Sequence, residues 1–414
     1  MQKLKLVLIG NGMAGVRTLE ELLKLTPDLY DITVFGAEPH PNYNRIMLSP
    51  VLAGEQEFSD IILNDLDWYH SHGITLHTGK RIVTIDRRGR KVVAEDGTEA
   101  HYDRLLLATG SNPFMPPLPG NHLTGVIGYR DIDDTQLMMD TALTHKHAVI
   151  VGGGLLGLEA ANGLTLRGMQ VTVIHKGQWL LDRQLDERAG QQLQAALEQR
   201  GIQFRLGLPP AQLHGDTQGR VCALDFSDGS RIAADLVVMA AGIRPNIELA
   251  ERAGLACNGG ILVNDTLQTF DPRIYAIGEC VSHRGIAYGL VAPLFEQAKV
   301  CANHLARLGH QRYQGSITST KLKVTGINLF SVGDFMGAEG TESITLSDPI
   351  SGIYKKLVLK DDRLVGVCLY GDTGDSNWYL TLLREGQNVS QLRNHLMFGQ
   401  PAQNDEAQYH QAAA

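Results

Sequence analysis

Two glycine-rich segments with the same spacing constrain this chain more than any other feature. They read LIGNGMAG at 8–15 and VGGGLLGLE at 151–159. In each, an apolar run typical of a buried strand precedes the pattern GxGxxG, and an amphipathic pattern typical of a helix follows it. The first glycine permits a tight turn, the second lets a pyrophosphate approach the backbone, and the third lets helix and strand pack closely. The sequence therefore predicts two dinucleotide-binding βαβ units.

The position of the ribose-binding residue differs between the two units. Such a residue follows the glycines by about 20 residues, at the end of the next strand. In the first unit Glu38 follows Gly15 by 23 residues, so we expect it to bind ribose hydroxyls. In the second unit His175, 18 residues after Gly157, and Lys176 stand where a carboxylate would repel a 2′-phosphate. The choice between NADH and NADPH therefore stays open. His175 and Lys176 are equally typical of solvated residues at the end of a strand.

Two dinucleotide sites in one chain indicate a resident and a visiting ligand. A flavin and a nicotinamide form the natural pair, because a hydride moves from the second to the first. We therefore expect FAD and either NADH or NADPH. A non-enzymatic nucleotide-binding sensor is the alternative from a different class.

Composition excludes several other functions. The net charge is −8 and no stretch approaches about 20 consecutive apolar residues, so we expect no nucleic-acid partner and no membrane span. The apolar run at the N-terminus is too short for a signal peptide, which favours the cytoplasm. The five cysteines are irregularly spaced, so we expect reduced thiols and no metal site.

Further segments carry a family resemblance. They are YNRIMLS at 43–49, LLLATGS at 105–111 and YAIGECVSHRGIAYGLVAPLFEQAKVCANHL at 275–305. With the two glycine motifs they resemble the pyridine nucleotide–disulfide oxidoreductase class over almost the whole chain. The last segment, with 320–335, resembles one branch: the N-terminal part of NAD(P)H nitrite reductase large subunits and the electron-transfer subunits of assimilatory nitrate reductases. A CxxxxC motif is missing, so we do not expect dithiol chemistry.

The resemblance implies residue roles in both sites. The implied FAD contacts are Gly10, Gly12, Met13, Ala14, Gly15, Glu38, Arg45, Ile82, Ala108, Thr109, Gly110, Arg130, Gly278, Glu279 and Pro293, the last near the start of a helix aimed at the flavin. The implied nicotinamide-nucleotide contacts are Gly153, Gly154, Leu155, Leu156, Gly157, His175 and Gly242. Glu159 is the one candidate catalytic residue; its alternative is a carboxylate favoured by the start of a helix. Glu279 replaces the aspartate usual in this class.

The predicted fold is α/β, with two Rossmann-like domains and a smaller C-terminal α+β domain. A connector with four prolines at 112–120 favours a boundary there. We predict an FAD domain over 1–113 and 243–314, an NAD(P)H domain over 114–242, the C-terminal domain over 315–400 and a disordered tail over 401–414.

The expected reaction is hydride transfer from the nicotinamide nucleotide to FAD, followed by electron transfer to a redox protein. The resemblance implies that this acceptor is a nitrate or nitrite reductase catalytic subunit or an iron–sulfur protein. Nitrite reductase subunits continue into cysteine-rich iron–sulfur and sirohaem regions that these residues lack, so we expect no nitrite reduction by this chain alone. A rubredoxin or ferredoxin reductase of another pathway is the alternative. The sequence leaves open the oligomeric state and whether His283, Arg284 or Trp378 contacts a partner.

Overall fold

The computed structural model describes residues 3–324 and 326–400, so the predicted tail at 401–414 lies outside the described residues. The helices are α1 (Met13–Leu25), α2 (Leu48–Ala53), α3 (Leu66–Ser71), α4 (Ile132–Thr144), α5 (Leu155–Leu166), α6 (Glu187–Glu198), α7 (Glu248–Arg252), α8 (Val291–Leu305) and α9 (Ser376–Glu385). The strands are β1 (Leu4–Ile9), β2 (Tyr30–Phe35), β3 (Asn42–Tyr43), β4 (Ile62–Asn64), β5 (Thr75–His77), β6 (Ile82–Asp86), β7 (Lys91–Ala94), β8 (Glu99–His101), β9 (Arg104–Leu107), β10 (Ser111–Pro113), β11 (Val126–Ile127), β12 (His147–Val151), β13 (Gln170–His175), β14 (Gln203–Leu206), β15 (Pro210–Gly215), β16 (Val221–Phe226), β17 (Arg231–Ala233), β18 (Leu236–Met239), β19 (Ile243–Pro245), β20 (Ile261–Val263), β21 (Ile274–Ala276), β22 (Val281–His283), β23 (Ser319–Val324), β24 (Ile327–Gly333), β25 (Glu342–Asp348), β26 (Ile353–Lys360) and β27 (Arg363–Tyr370).

The chain divides into two compact units, and each is discontinuous in sequence. Among the described residues, the first unit comprises 3–115, 128–139 and 242–316, and the second comprises 116–127, 140–241, 317–324 and 326–400. The three-domain boundaries given above stay a prediction.

A parallel five-stranded sheet forms the centre of the first unit. Its strand order is β21-β9-β1-β2-β5. Along β1, Leu6 and Leu8 are buried in the core on one face of the sheet, and Val7 and Ile9 in the core on the other. Burial on both faces explains why this strand is apolar without alternation from Leu6 to Ile9. The carboxyl ends of β1 and β9 meet at the edge where the first glycine loop follows.

The second unit combines a parallel sheet with an antiparallel one. The parallel sheet has the order β11-β18-β12-β13-β14, and the C-terminal antiparallel sheet has the order β23-β24-β27-β26-β25. Helix α9 packs on the antiparallel sheet through the buried Tyr379, with Trp378 partly buried beside it. The predicted fold class, two parallel sheets of Rossmann type plus a C-terminal α+β part, is confirmed.

The described residues contain neither a membrane-spanning helix nor a cluster of metal ligands. No helix there combines the length and apolar character that crossing a membrane requires. Within 3–324 and 326–400, no group of His, Cys, Asp and Glu side chains is arranged to hold a metal ion.

Candidate functional site

The first glycine loop connects β1 to α1 at the carboxyl edge of its sheet. Gly10 has a φ of +108°, and a Cβ there would lie 2.1 Å from the carbonyl oxygen of Ala108. A Cβ on Gly15 would lie 2.8 Å from the carbonyl oxygen of Gly10, whereas a Cβ on Gly12 would meet no atom within 4 Å. The outer glycines are therefore required for packing, and the middle one leaves open space where a ligand can approach the backbone.

The second loop, between β12 and α5, repeats this geometry. Gly152 has a φ of +133°, and its Cβ would lie 2.2 Å from the carbonyl oxygen of Ala240. A Cβ on Gly157 would lie 2.0 Å from the carbonyl oxygen of Gly152, and one on Gly154 would again meet nothing within 4 Å. The two loops thus share one construction, each in its own unit.

Both loops lead into a helix whose N-terminus has no side-chain cap. Gly12 and Gly154 are the N-cap residues of α1 and α5, and neither helix has an acidic residue in its first turn. By contrast, Asp65 and Asp186 accept backbone hydrogen bonds as the N-caps of α3 and α6. Backbone N–H groups and the positive end of the helix dipole are therefore left for an anionic group at both glycine loops. These features fit a dinucleotide pyrophosphate at each.

A network around Asn11 fixes the first loop, and the sequence analysis missed it. The Asn11 carboxamide oxygen accepts a hydrogen bond from the Tyr69 hydroxyl at 2.7 Å, and its backbone oxygen accepts one from the Asn42 side chain at 3.0 Å. Burial raises the pKa of Tyr69, which keeps its hydroxyl protonated as a donor. Tyr69 and Asn42 come from separate segments, so the only sequence signal for these contacts was the Asn11 side chain within GxGxxG.

The predicted ribose carboxylate Glu38 meets Arg45, another predicted site residue. Their closest nitrogen–oxygen distance is 2.5 Å, and the Tyr43 hydroxyl donates to the other Glu38 oxygen at 2.6 Å. Burial alone would raise the pKa of Glu38, but the Arg45 charge and the two hydrogen bonds outweigh it, so that pKa is lowered. Arg45 also donates to the Arg130 carbonyl oxygen at 2.6 Å. Glu38 is thereby kept ionised as a hydrogen-bond acceptor.

Glu279 and Arg130, both predicted site residues, also meet. The Arg130 guanidinium donates to the Glu279 carboxylate, and the Ser111 hydroxyl donates to the same oxygen at 2.8 Å. Just before Glu279, the Gly278 N–H donates to the buried Gln297 side chain on α8 at 2.9 Å. The sequence analysis missed Ser111, which is 168 residues from Glu279, and Gln297, which is 19 residues from Gly278.

Gly278 joins these residues to the glycine loop. It has a φ of +88°, and a Cβ there would lie 3.2 Å from the Cβ of Ala14 in the first turn of α1. Pro293 is buried in the first turn of α8, where the N-cap Leu290 provides no side-chain hydrogen bond and acidic residues are absent. The start of α1 and the Gly278 turn therefore belong to one site.

The remaining residues predicted to contact FAD lie just after β9, at the start of β6 and at the start of α1. The Thr109 hydroxyl donates to the Asn246 carbonyl oxygen at 2.7 Å, and the Asn246 N–H donates to the Gly110 carbonyl oxygen at 2.9 Å. Ile82 is buried at the start of β6. Met13 begins α1. Their direct contacts with a cofactor stay predictions.

The predicted residues of the second site are less uniformly placed. Leu155 and Leu156 form the first turn of α5, and Glu159 follows half-buried in the second turn. His175 is buried at the end of β13, where its Nδ1 accepts a hydrogen bond from the Gly153 N–H at 3.2 Å. Gly242 belongs to the first unit, and its carbonyl oxygen accepts the Phe114 N–H at 2.8 Å. The ligand contacts of these residues stay predictions.

The loop residues left open as a partner patch pair with one carboxylate. His283 is buried, and its Nε2 lies 2.9 Å from Asp265. The exposed Arg284 lies 2.7 Å from the other oxygen of that carboxylate. Both side chains therefore hold the turn after β22, and only Arg284 reaches solvent.

Comparison with known proteins identifies the family. Residues 4–304 match the model described as pyridine nucleotide-disulphide oxidoreductase, and residues 319–387 match the rubredoxin NAD+ reductase C-terminal domain. Nitrite reductase [NAD(P)H] of Bacillus subtilis (strain 168) is 49% identical over 94% of this chain and 48% of its own length. The assimilatory nitrate reductase electron transfer subunit of the same organism is 47% identical over 96% of this chain and 51% of its own length.

A solved structure agrees over almost the whole chain. The reductase in the covalent putidaredoxin reductase–putidaredoxin complex has a TM-score of 0.84 and 26% identity, and the match covers 94% of each chain. The chain spans about half the length of the two Bacillus relatives. It belongs to the pyridine nucleotide-disulphide oxidoreductase family, whose members bind FAD and use NAD(P)H as oxidoreductases.

Proposed function

We propose that this chain oxidises NADH or NADPH with bound FAD and passes the electrons to a partner redox protein of nitrate or nitrite assimilation. One observation carries the proposal: each unit contains an open glycine loop followed by an uncapped helix at the carboxyl edge of a parallel sheet. Two such loops provide for two dinucleotides, as the transfer of electrons between them requires.

The first unit is the FAD site in this proposal. The N–H groups at the start of α1 hold the pyrophosphate, and the ionised Glu38 accepts hydrogen bonds from the adenosine ribose. Glu279, oriented by Arg130 and Ser111, would accept a hydrogen bond from the ribityl chain. The start of α8 places a positive dipole end beside the flavin. FAD, when bound there, supplies a two-electron acceptor that can release electrons one at a time.

The second unit is the NAD(P)H site. The open space at Gly154 admits the pyrophosphate, and the first turn of α5 donates N–H groups to it. Glu159 is the residue proposed to lie beside the nicotinamide, because it follows on the same helix. No side-chain acid or base is needed for hydride transfer, so these residues act by holding the nucleotide in position.

The names of the relatives support the proposal that the electron acceptor is a redox protein of nitrate or nitrite assimilation. The two Bacillus proteins, at 49% and 47% identity, are a nitrite reductase and an electron transfer subunit of an assimilatory nitrate reductase. A partner redox protein is also supported by the putidaredoxin reductase complex. The match of residues 319–387 to a rubredoxin reductase domain favours a second candidate, a rubredoxin or ferredoxin reductase of another pathway.

A matched pair of substitutions tests the two sites separately. A Cβ at Gly12 or at Gly154 meets no atom within 4 Å, so we expect tryptophan at either position to occupy the space proposed for a ligand. We expect Gly154→Trp to stay yellow but to resist reduction by NADH and NADPH. We expect Gly12→Trp to lose the flavin. Flavin absorbance during anaerobic titration measures both outcomes.

The controls separate this proposal from its alternatives. Normal reduction of the Gly154→Trp flavin by NADH or NADPH would exclude the assigned nucleotide site. A wild-type flavin that neither nucleotide reduces would favour the sensor. Once reduction is established, the rates at which purified nitrite reductase, nitrate reductase, rubredoxin and ferredoxin reoxidise the flavin distinguish the proposed acceptor from the second candidate.

A further inference from the structure

The segment between β13 and α6 lies directly against the second glycine loop. The Leu181 N–H donates to the carbonyl oxygen of Gly153 at 3.0 Å, and a Cβ on Gly153 would lie 3.0 Å from the Leu180 side chain. Leu181 has a φ of +54°, and its carbonyl oxygen accepts the N–H groups of Gln184 and Leu185. The course of this segment is therefore fixed beside the predicted nucleotide site.

The His175 ring lies between the loop and a carboxylate on that segment, Asp182. Its Nδ1 accepts the Gly153 N–H, so the neutral ring carries its proton on Nε2. That nitrogen lies 3.5 Å from the Asp182 carboxylate. Burial lowers the pKa of His175 more than Asp182 raises it, which favours this neutral tautomer.

Gly177 leaves the space that brings this carboxylate to the end of β13. A Cβ on Gly177 would lie 2.6 Å from the Asp182 carboxylate and 2.7 Å from His175 Nε2, so a larger residue would separate them. The Asp182 side chain remains about one-third exposed, at 32%. An accessible carboxylate thus lies at the end of the second strand, the place where a Rossmann fold contacts the adenosine ribose.

We propose that Asp182 supplies the ribose-binding carboxylate that the strand end itself lacks, and that it makes NADH the preferred nucleotide. The inference rests on the proposed NAD(P)H site. A carboxylate accepts hydrogen bonds from ribose hydroxyls but repels a 2′-phosphate. His175 is a positioning residue: its ring is hydrogen-bonded to Gly153 through Nδ1 and lies 3.5 Å from the Asp182 carboxylate without a hydrogen bond to it, so it limits where that carboxylate can move. Lys176 and Arg183 are exposed and carry a charge opposite to that of Asp182. As cations they cannot replace the Asp182 carboxylate as an acceptor of hydrogen bonds from ribose.

Binding of two nucleotide fragments to the FAD-containing protein tests the assignment. ADP-ribose and its 2′-phosphate differ only at the proposed contact, and calorimetry gives both dissociation constants without turnover. We expect Asp182→Ser to weaken ADP-ribose about tenfold and to tighten the 2′-phosphate compound about tenfold, as the loss of a charged hydrogen bond and of a charge repulsion implies. The ratio of kcat/KM for NADH to kcat/KM for NADPH should therefore fall in Asp182→Ser.

Glu187→Ser is the matched control, because it removes the same charge from an exposed position in the first turn of α6. It should leave the ratio of the two fragment affinities within about twofold of wild type, since distant exposed charges are screened. His175→Ala should shift this ratio as Asp182→Ser does, whereas a purely structural role would weaken both fragments equally.

The outcomes separate this inference from the function on which it rests. An unchanged affinity ratio in Asp182→Ser, or an equal shift in Glu187→Ser, would overturn the role of Asp182 while leaving flavin reduction intact. A wild-type protein that binds neither fragment and is reduced by neither nucleotide would overturn the proposed function itself.

Discussion

At the scale of single residues, the charged groups of the first site pair with other side chains of the same chain. Glu38 lies against Arg45 and Tyr43, and Glu279 lies against Arg130. Such pairs fix the direction of each carboxylate, so less ordering is needed when a ligand binds. The site is therefore organised by its own side chains.

Asp134 gives a pH-dependent prediction at this scale. Burial and the nearby Asp131 raise its pKa from 3.8 to about 6. A carboxyl group whose pKa is higher in the folded chain destabilises the fold increasingly as the pH rises from 3.8 to about 6, and fully above that. Asp134→Asn should therefore raise the free energy of unfolding by about 1–2 kcal/mol at pH 8, a reduced value because the group is half-buried.

Urea denaturation at pH 8 and pH 4 measures this effect. The gain should largely disappear at pH 4, where Asp134 is protonated in the folded chain. The carboxamide oxygen of the substituted side chain can still accept the Arg130 N–H, which Asp134 accepts at 2.7 Å. Asp133→Asn removes the same charge from an exposed neighbour and should change little. A gain that is equal at both pH values would contradict the assigned cause.

Some residues of the first site could be predicted from the sequence, and others could not for a physical reason. Gly10, Gly12 and Glu38 are separated by short, regular spacings that the local fold imposes, so their geometry could be predicted. Ser111 approaches Glu279 across 168 residues, and spacing along the chain carries no signal for such a contact. Gln297 is only 19 residues from Gly278, but no repeated motif fixes that spacing as it does for the glycine loops.

At the scale of elements, the helices differ in how their first turns are satisfied. Helices α1 and α5 have glycine N-caps without a side-chain bond, whereas Asp186 caps α6 by accepting the Ala189 N–H at 3.1 Å. Asp186 also accepts the Tyr354 hydroxyl of β26 at 2.6 Å and lies 3.6 Å from the Lys356 ammonium. One buried carboxylate therefore joins α6 to the antiparallel sheet within the second unit.

Substitution of Asp186 should consequently destabilise the second unit. We expect Asp186→Ala to lower the free energy of unfolding by about 3 kcal/mol, since it removes a cap and leaves a half-buried lysine without this partner. Tyr354→Phe removes one hydrogen bond and should cost about 1 kcal/mol. Urea denaturation followed by circular dichroism measures both, and equal costs for the two variants would contradict a joint role of Asp186.

The strands and helices themselves were largely predictable from hydrophobic pattern. The apolar run before each glycine motif and the amphipathic pattern after it predicted the α/β class, which the sheets confirm. Strand order was harder to predict, because β21 at Ile274–Ala276 pairs with β9 at Arg104–Leu107 across a long sequence separation. Pairing at that distance is set by the tertiary core rather than by local propensity.

At the scale of the whole molecule, two units share one chain that passes between them several times. Each unit has its own parallel sheet and its own glycine loop. The proposed function assigns one ligand to each loop. Ligand binding should therefore leave separate signatures in the two units.

Hydrogen exchange measures those signatures. Addition of FAD to the flavin-free chain should slow exchange around 10–15 and 278–280, and NAD+ should slow exchange around 152–157. At about 100 times the dissociation constant, binding stabilises a site by about 2.7 kcal/mol, which slows exchange through opening of that site about a hundredfold. Protection of the same peptides by both ligands would contradict the assignment of one ligand to each loop.

The repeated loop geometry has a consequence for competition between metabolites. Under the proposed function, each glycine loop would bind the part that FAD and the nicotinamide nucleotides have in common, adenosine diphosphate. Glu38 and Asp182 are likewise proposed to bind the adenosine ribose that all of these ligands contain, so neither the loops nor these carboxylates distinguish FAD from a nicotinamide nucleotide. Free ADP should accordingly compete at both loops, and the flavin resists displacement only through contacts beyond the half that all these molecules share.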